Sequence, residues 1–446
     1  MLRTALQYRR VICSAALGVL SAAACKPSDD SPPLGRNETH QIPDVPVPPA
    51  DGPRLGAIAH TTPVREAPYE DATIIGYLHA GATVARAVEA YSNDGCTEGW
   101  YPIRPRGFVC VDEGATLDLQ HPTLLAMAIA PNLGADMPYA YARTKTDATV
   151  YEVDEEAERR VRAKRSMTSK SGAAIVGSWQ ASDENGKELE LAMLTNGSFV
   201  DVSVLDRAEY SAFKGVELRG ATQLPVGFIV KRGISAWDIT GPTLKRKRRL
   251  DVHEVLPLTG KFRTSHNEKF WETVDGDWVR HRDMTTARQR SKMPAFVNDG
   301  RRWLDVSIVT GTAVAYEGEE PVYATLLSVG ADRLGEQVQE GRVTERGEFA
   351  VVSKHITALN AKPEGFANRV EMHDVPWVLE LASGQLLHGA YWHKRFGVEH
   401  GPGNLQLSPA DAHWIWQWAG PSVPEGWHAV LELPSDETAT IVNIRK

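Results

Sequence analysis

The chain has 446 residues, 42% hydrophobic and 24% charged, with a formal net charge of −8. That length allows about two to four domains, and the composition can bury sizeable cores, which excludes a wholly disordered or fibrous chain. The mild acidity argues against a dedicated nucleic-acid binder. The first stretch is a targeting segment: Arg3, Arg9 and Arg10 precede an apolar run over residues 11–24, too short for a membrane span. No second apolar run approaches the length of a transmembrane helix.

The run ends Ser21-Ala22-Ala23-Ala24-Cys25, which resembles a lipoprotein processing site, with Ala22 where Leu is usual. The resemblance implies that residues 1–25 are a signal peptide and that Cys25 becomes the lipidated N-terminus. An ordinary Ala-x-Ala secretory cleavage is the alternative. Either reading places the protein in the bacterial envelope. Lipid on Cys25 would anchor it to a membrane facing the periplasm, and Lys26, in place of the Asp that marks inner-membrane retention, favours the outer membrane. Residues 26–53 carry eight prolines among many polar residues and read as a disordered or extended tether.

Over residues 54–118 short strand-like runs alternate with turns: Val64-Arg65-Glu66, Ile74-Ile75-Gly76-Tyr77-Leu78, Trp100-Tyr101-Pro102-Ile103 and Gly107-Phe108-Val109-Cys110. This segment resembles a bacterial SH3-like domain, a small β-barrel. The resemblance implies a peptidoglycan-binding module or a spacer without ligand. Cys96 and Cys110 both lie in it, and two lone cysteines in one small exported domain read as a disulfide. No Cys-x-x-Cys or nearby His suggests a metal there.

Residues 119–300 read as a β-rich middle region. Residues 152–164, dense in charge, are expected to form a surface helix. Strands are expected at 227–230 and 261–264, and a hairpin at 270–279 around Asp275-Gly276-Asp277. The basic run Lys245-Arg246-Lys247-Arg248-Arg249 is expected to be a solvated loop between strands. Any partner of it would be an anionic wall polymer or a lipid headgroup rather than nucleic acid.

From Arg301 the alternation Trp303-Leu304-Asp305-Val306-Ser307 and Thr312-Ala313-Val314-Ala315-Tyr316 predicts paired strands. Residues 386–418 then carry His388-Gly389, Trp392-His393, Phe396-Gly397 and Leu407-Ser408-Pro409-Ala410-Asp411-Ala412. These anchors resemble the signature of the L,D-transpeptidases, enzymes that cross-link peptidoglycan through a cysteine acyl-enzyme. The opening of the domain and Thr344-Glu345-Arg346-Gly347-Glu348-Phe349 with Lys354 resemble the family too, although the family has Pro where Glu345 stands. The resemblance covers residues 301–432 and implies a mostly β sandwich with a few short helices; residues 433–446 would add a strand or tail.

Between the anchors the family's chemistry is missing. Gly401 stands at the family's Ser, Pro402 at its catalytic His, Gly403 at its Gly, Asn404 at its nucleophilic Cys and Gln406 at its Asn or Arg. An amide cannot serve as the thiolate and proline cannot move a proton. The four cysteines are Cys13, Cys25, Cys96 and Cys110, so no thiol follows residue 110. In other hydrolases loss of the nucleophile costs on the order of 10⁶ in turnover. The resemblance assigns His388, Gly389, Tyr391, Trp392 and Phe396 to the walls of a substrate cleft.

The spacing of His388, His393 and His400 suits no metal site, and no cofactor is expected. Trp414, Trp416 and Trp418 read as core or as a sugar-stacking surface. Ser408 with Asp411 reads as a helix start, with serine nucleophilicity as the alternative. The expected function is a catalytically silent, peptidoglycan-binding or scaffolding envelope lipoprotein. The alternatives are an active transpeptidase using unusual residues and a regulatory partner of an active transpeptidase.

Overall fold

The computed structural model describes residues 41–446 except 113, 155, 221, 298–299, 331–342, 359–369, 401–402 and 432–438. The signal-peptide and lipidation expectations, Cys25 included, lie outside the described residues. The fold is mostly β: among the described residues the α-helices are Pro122–Ala126 and Pro409–Trp418. Residues 41–49 have no regular structure but are not a free tether, since Pro48 is buried and its carbonyl accepts from Arg104 Nη1 at 3.1 Å.

The N-terminal module winds seven short strands, from Arg54–Ala57 to Ala115–Thr116, around Leu55, Val64, Leu78 and Val109. Cys96 and Cys110 form a disulfide. Its strand Ile74–Leu78 pairs with Ala429–Leu431, so one 14-stranded sheet runs from this module into the C-terminal domain. Gly76 permits that junction. A Cβ there would lie 2.3 Å from the ring of Trp427, which itself belongs to the N-terminal core.

The middle region is two modules. The first is a seven-stranded sheet over residues 140–207, and the second is another over residues 226–287. The helix expected at 152–164 is instead a hairpin of Ala148–Val153 and Val161–Met167. Its charges pair across strands, Arg162 to Glu152 at 2.9 Å and Lys164 to Glu152 at 2.8 Å, while Asp154 and Arg160 close the turn at 2.6 Å. Charge density mimicked a helix surface; the buried Val150, Val161 and Met167 set a strand. The basic run is likewise a strand, Lys245–Arg249, at the edge of the second sheet rather than a loop.

In the C-terminal domain Arg302–Ser307, Thr312–Glu317 and Glu320–Ser328 form a meander. The last strand, Ile441–Arg445, lies between Arg302–Ser307, which it meets in parallel, and Gly347–Ala358. Asp305 holds it there, accepting from Arg445 Nη2 at 2.9 Å and from Asn443 Nδ2 at 2.9 Å. Both faces of the sheet are covered, which gives strands such as Glu320–Ser328 a nearly continuous buried pattern.

A row of imidazoles seals the joint between modules. The rings of His60 and His79 lie 4.7 Å apart, and those of His79 and His428 4.5 Å apart. His428 Nε2 meets Thr357 Oγ1 at 2.8 Å, and His60 Nδ1 meets the Thr195 carbonyl at 3.3 Å. Burial pushes the pKa of His79 down to about 3 and that of His428 well below the usual range, so both are neutral.

Candidate functional site

The motif anchors converge because two short strands run side by side. Leu386–Gly389 and Leu405–Leu407 are parallel, with His388 opposite Gln406 and Gly389 opposite Leu407. The helix Pro409–Trp418 follows at once. Ser408 is its N-cap, accepting from Asp411 N at 3.2 Å, with Pro409 in the first turn. Asp411 is fully buried, and its oxygens accept from Ser408 Oγ at 2.7 Å, Tyr323 Oη at 2.7 Å, Thr325 Oγ1 at 2.6 Å and Gly215 N at 2.7 Å. Burial pushes its pKa up and these donors oppose the shift. Ser408 is therefore a buried cap whose hydroxyl is spent on Asp411, which removes the serine-nucleophile reading.

Asn404 takes over a backbone task. Its Oδ1 accepts from Leu386 N at 3.0 Å, extending the pairing of the two strands by a side-chain bond. The neighbouring Gly403 carbonyl accepts from Gln385 Nε2 at 2.8 Å and from Thr344 Oγ1 at 2.9 Å. The Gln385 contact was not foreseen from the sequence. Thr344 carried a signal, as the Thr of a family-like motif, but its partner is 59 residues away. Gly401 and Pro402 lie outside the described residues.

Gln406 is buried and binds His393, Oε1 to Nε2, at 2.7 Å. His393 Nδ1 accepts from Arg395 N at 3.1 Å, so the imidazole is neutral with its proton on Nε2. Burial pushes its pKa down to about 3, and that of His388 down to about 4. His388 donates from Nδ1 to the Gly389 carbonyl at 3.0 Å. His400 stacks edge-on against His393, 4.4 Å between centroids, and gives its backbone N–H to Val329. None of these rings is hydrogen-bonded to a thiol or hydroxyl among the described residues. The one metal-competent group found among the described residues is Cys96, Cys110 and Asp112, and there the two sulfurs are joined to each other.

The cleft-wall residues of the sequence reading come together, but inside the molecule. His388, Tyr391 and Phe396 are 2%, 0% and 1% exposed, and Gly389 is buried. The first middle module covers Tyr391: the Tyr141 ring lies 4.5 Å away, and Tyr391 Oη donates to the His373 carbonyl at 3.0 Å. Gly172 allows that approach, because a Cβ there would stand 2.5 Å from Tyr391 Oη. Phe213, just before the second module, stacks on Phe396 at 6.4 Å. Trp392 is half-buried between His388 at 5.6 Å and Tyr391 at 5.1 Å. Of the three helix tryptophans, Trp416 is buried over Lys354, and Trp414 stacks on Tyr323 at 4.0 Å and on Trp418 at 5.8 Å. They pack as core, without a free stacking face on Trp414.

No protein-family model and no curated protein matches the chain. Among solved structures it is similar to the L,D-transpeptidase (residues 123–326) from Xylanimonas cellulosilytica, at 18% identity and a TM-score of 0.24, over 35% of this chain and 65% of that one. It is similar to an L,D-transpeptidase from Mycobacterium smegmatis at 16% identity and a TM-score of 0.24, over 42% of this chain and 77% of that one. L,D-transpeptidase 3 from Mycobacterium tuberculosis is similar at 16% identity and a TM-score of 0.24, over 43% of this chain and 79% of that one.

Proposed function

We propose that this chain is a catalytically silent member of the L,D-transpeptidase family, held in the cell envelope by lipid on Cys25 and acting there as a peptidoglycan-associated scaffold. The observation that carries the reading is Asn404. At the position of the family's nucleophile stands an amide whose oxygen is committed to the Leu386 N–H. A thiolate at that position would have to be free to attack; this side chain is a strut. The burial of Tyr391 and Phe396 under the two middle modules points the same way, since substrate walls have become joints between modules. Contact with peptidoglycan then falls to another surface, and the 54–118 module, with its SH3-like sequence, is the natural one.

The test uses the unmodified protein and purified sacculi. Pelleting with the sacculi and an unchanged muropeptide profile is the expected result. New cross-links, or a covalent adduct with a carbapenem, would show that the chain is an enzyme after all.

A further inference from the structure

The second middle module differs in charge from the rest of the chain. Residues 226–287 hold twelve lysines and arginines against eight aspartates and glutamates, a net +4 in a protein whose net charge is −8. The excess is concentrated on one face. Trp237 pairs across strands with Arg246 and with Trp278, and Phe270 pairs with Arg263 and with Arg280, so these side chains share a side of the sheet. Arg280 lies 4.5 Å and Arg246 5.9 Å from the Trp237 ring centre, and Arg263 lies 5.4 Å from that of Trp278. Arg249, opposite Ser235, continues the row along the edge strand.

Arg246, Arg249, Arg263 and Arg280 have no carboxylate within ion-pair distance among the described residues. Acids on the same side are otherwise engaged: Glu268 with Arg282 at 2.6 Å, and Glu272 with Lys261 at 3.9 Å. Lys247 and Arg248 on the same edge strand are neutralised by Asp277 and Glu254, and Lys245 sits opposite Asp238. Four guanidiniums thus remain, three of them within 5.9 Å of an aromatic ring centre and without a carboxylate partner among the described residues. A guanidinium so fixed loses little freedom on gripping a planar oxyanion.

We infer that this face binds a linear anionic polysaccharide through its charged groups. The row is several strands wide, which suits a polymer carrying repeated anions rather than one small ion. A membrane surface fits less well, because the rings of Trp278 and Phe270 are buried beneath the arginines rather than free to insert. The exposed apolar side chain of the sheet, Phe262 at 58%, pairs with Trp271 on the opposite face. Nucleic acid fits less well too, since base stacking needs an uncovered ring. The inference concerns a different surface and a different ligand chemistry from the scaffold reading, and neither depends on the other.

The test is binding of the full-length protein to polygalacturonate, with dextran as the neutral control and with anionic phospholipid vesicles and single-stranded DNA as competing partners. Expected are binding to polygalacturonate that weakens steeply with salt, no binding to dextran, and at least tenfold weaker binding by the quadruple variant Arg246→Gln, Arg249→Gln, Arg263→Gln, Arg280→Gln. Because Arg280 is half-buried whereas the other three are exposed, the triple variant that keeps Arg280 is measured alongside; it should fold normally and still lose most of the affinity. Phe262→Ser, on the other face, should bind as the parent does. Absence of binding, tighter binding to vesicles or DNA, or a triple variant that binds as well as the parent would each overturn the inference.

Discussion

Cutting Asn404 back to alanine strips the Leu386 amide of its acceptor. Asn404 is only half-buried, so water can partly replace it, and Asn404→Ala should cost about 1 kcal/mol of stability in a denaturant titration. Asn404→Cys removes the same strut, and among the described residues no imidazole is hydrogen-bonded to residue 404, so it should be destabilised without forming cross-linked product. At this scale the sequence was informative where chemistry is local. The cap at Ser408, the proline that follows and the role of Asp411 in the first turn are all set within four residues. The sequence was silent on which groups Asp411 collects from Gly215, Tyr323 and Thr325, and on the burial of Tyr391 and Phe396. Those facts depend on segments some 90 to 250 residues away, and no spacing rule reaches that far.

Among the elements, the hairpin over 148–167 is the instructive case. A run with Glu, Arg and Lys at short intervals satisfies a solvent-exposed helix and a solvent-exposed ribbon equally; the burial of Val150, Val161 and Met167 decided for the ribbon, and the cross-strand ion pairs follow from it. The predicted disulfide, by contrast, needed only two cysteines in one small module, and its partners are 14 residues apart. A loop of that length stabilises by about 3 kcal/mol on the chain-entropy account. Replacing both cysteines by alanine should therefore lower the midpoint of thermal unfolding of the N-terminal module. Equal stability with and without reductant would count against any contribution from the bridge.

For the whole molecule, the buried imidazoles set an acid limit. His79, His388 and His393 have folded pKa values near 3, 4 and 3 against an ordinary value near 6.5. Below about pH 6.5 the unfolded chain binds protons that the folded chain refuses, so each histidine removes about 1.4 kcal/mol per pH unit until its folded pKa is reached. Asp374, pushed up to about 6 by burial, acts in the opposite sense between pH 6 and 4, and Asp411, also pushed up, acts with it, but they are outnumbered by these three histidines together with His428. The midpoint of thermal unfolding should fall from pH 7 to pH 5, and a flat profile would show that these rings are not neutral inside. The mostly β class and the strand runs of the C-terminal domain were legible in alternation; how the modules join was not, because the joint is made by glycines and histidines that carry no periodic signal. One part of that architecture bears on folding speed. Ile441–Arg445 fills the gap between Arg302–Ser307 and Gly347–Ala358, and its Asn443 reaches an aspartate 138 residues away. Until that insertion occurs the edges of Arg302–Ser307 and of Gly347–Ala350 are unpaired, and closing so large a loop is a slow step. Refolding from denaturant should accordingly pass through a species that is vulnerable to association, with yields that fall as protein concentration rises.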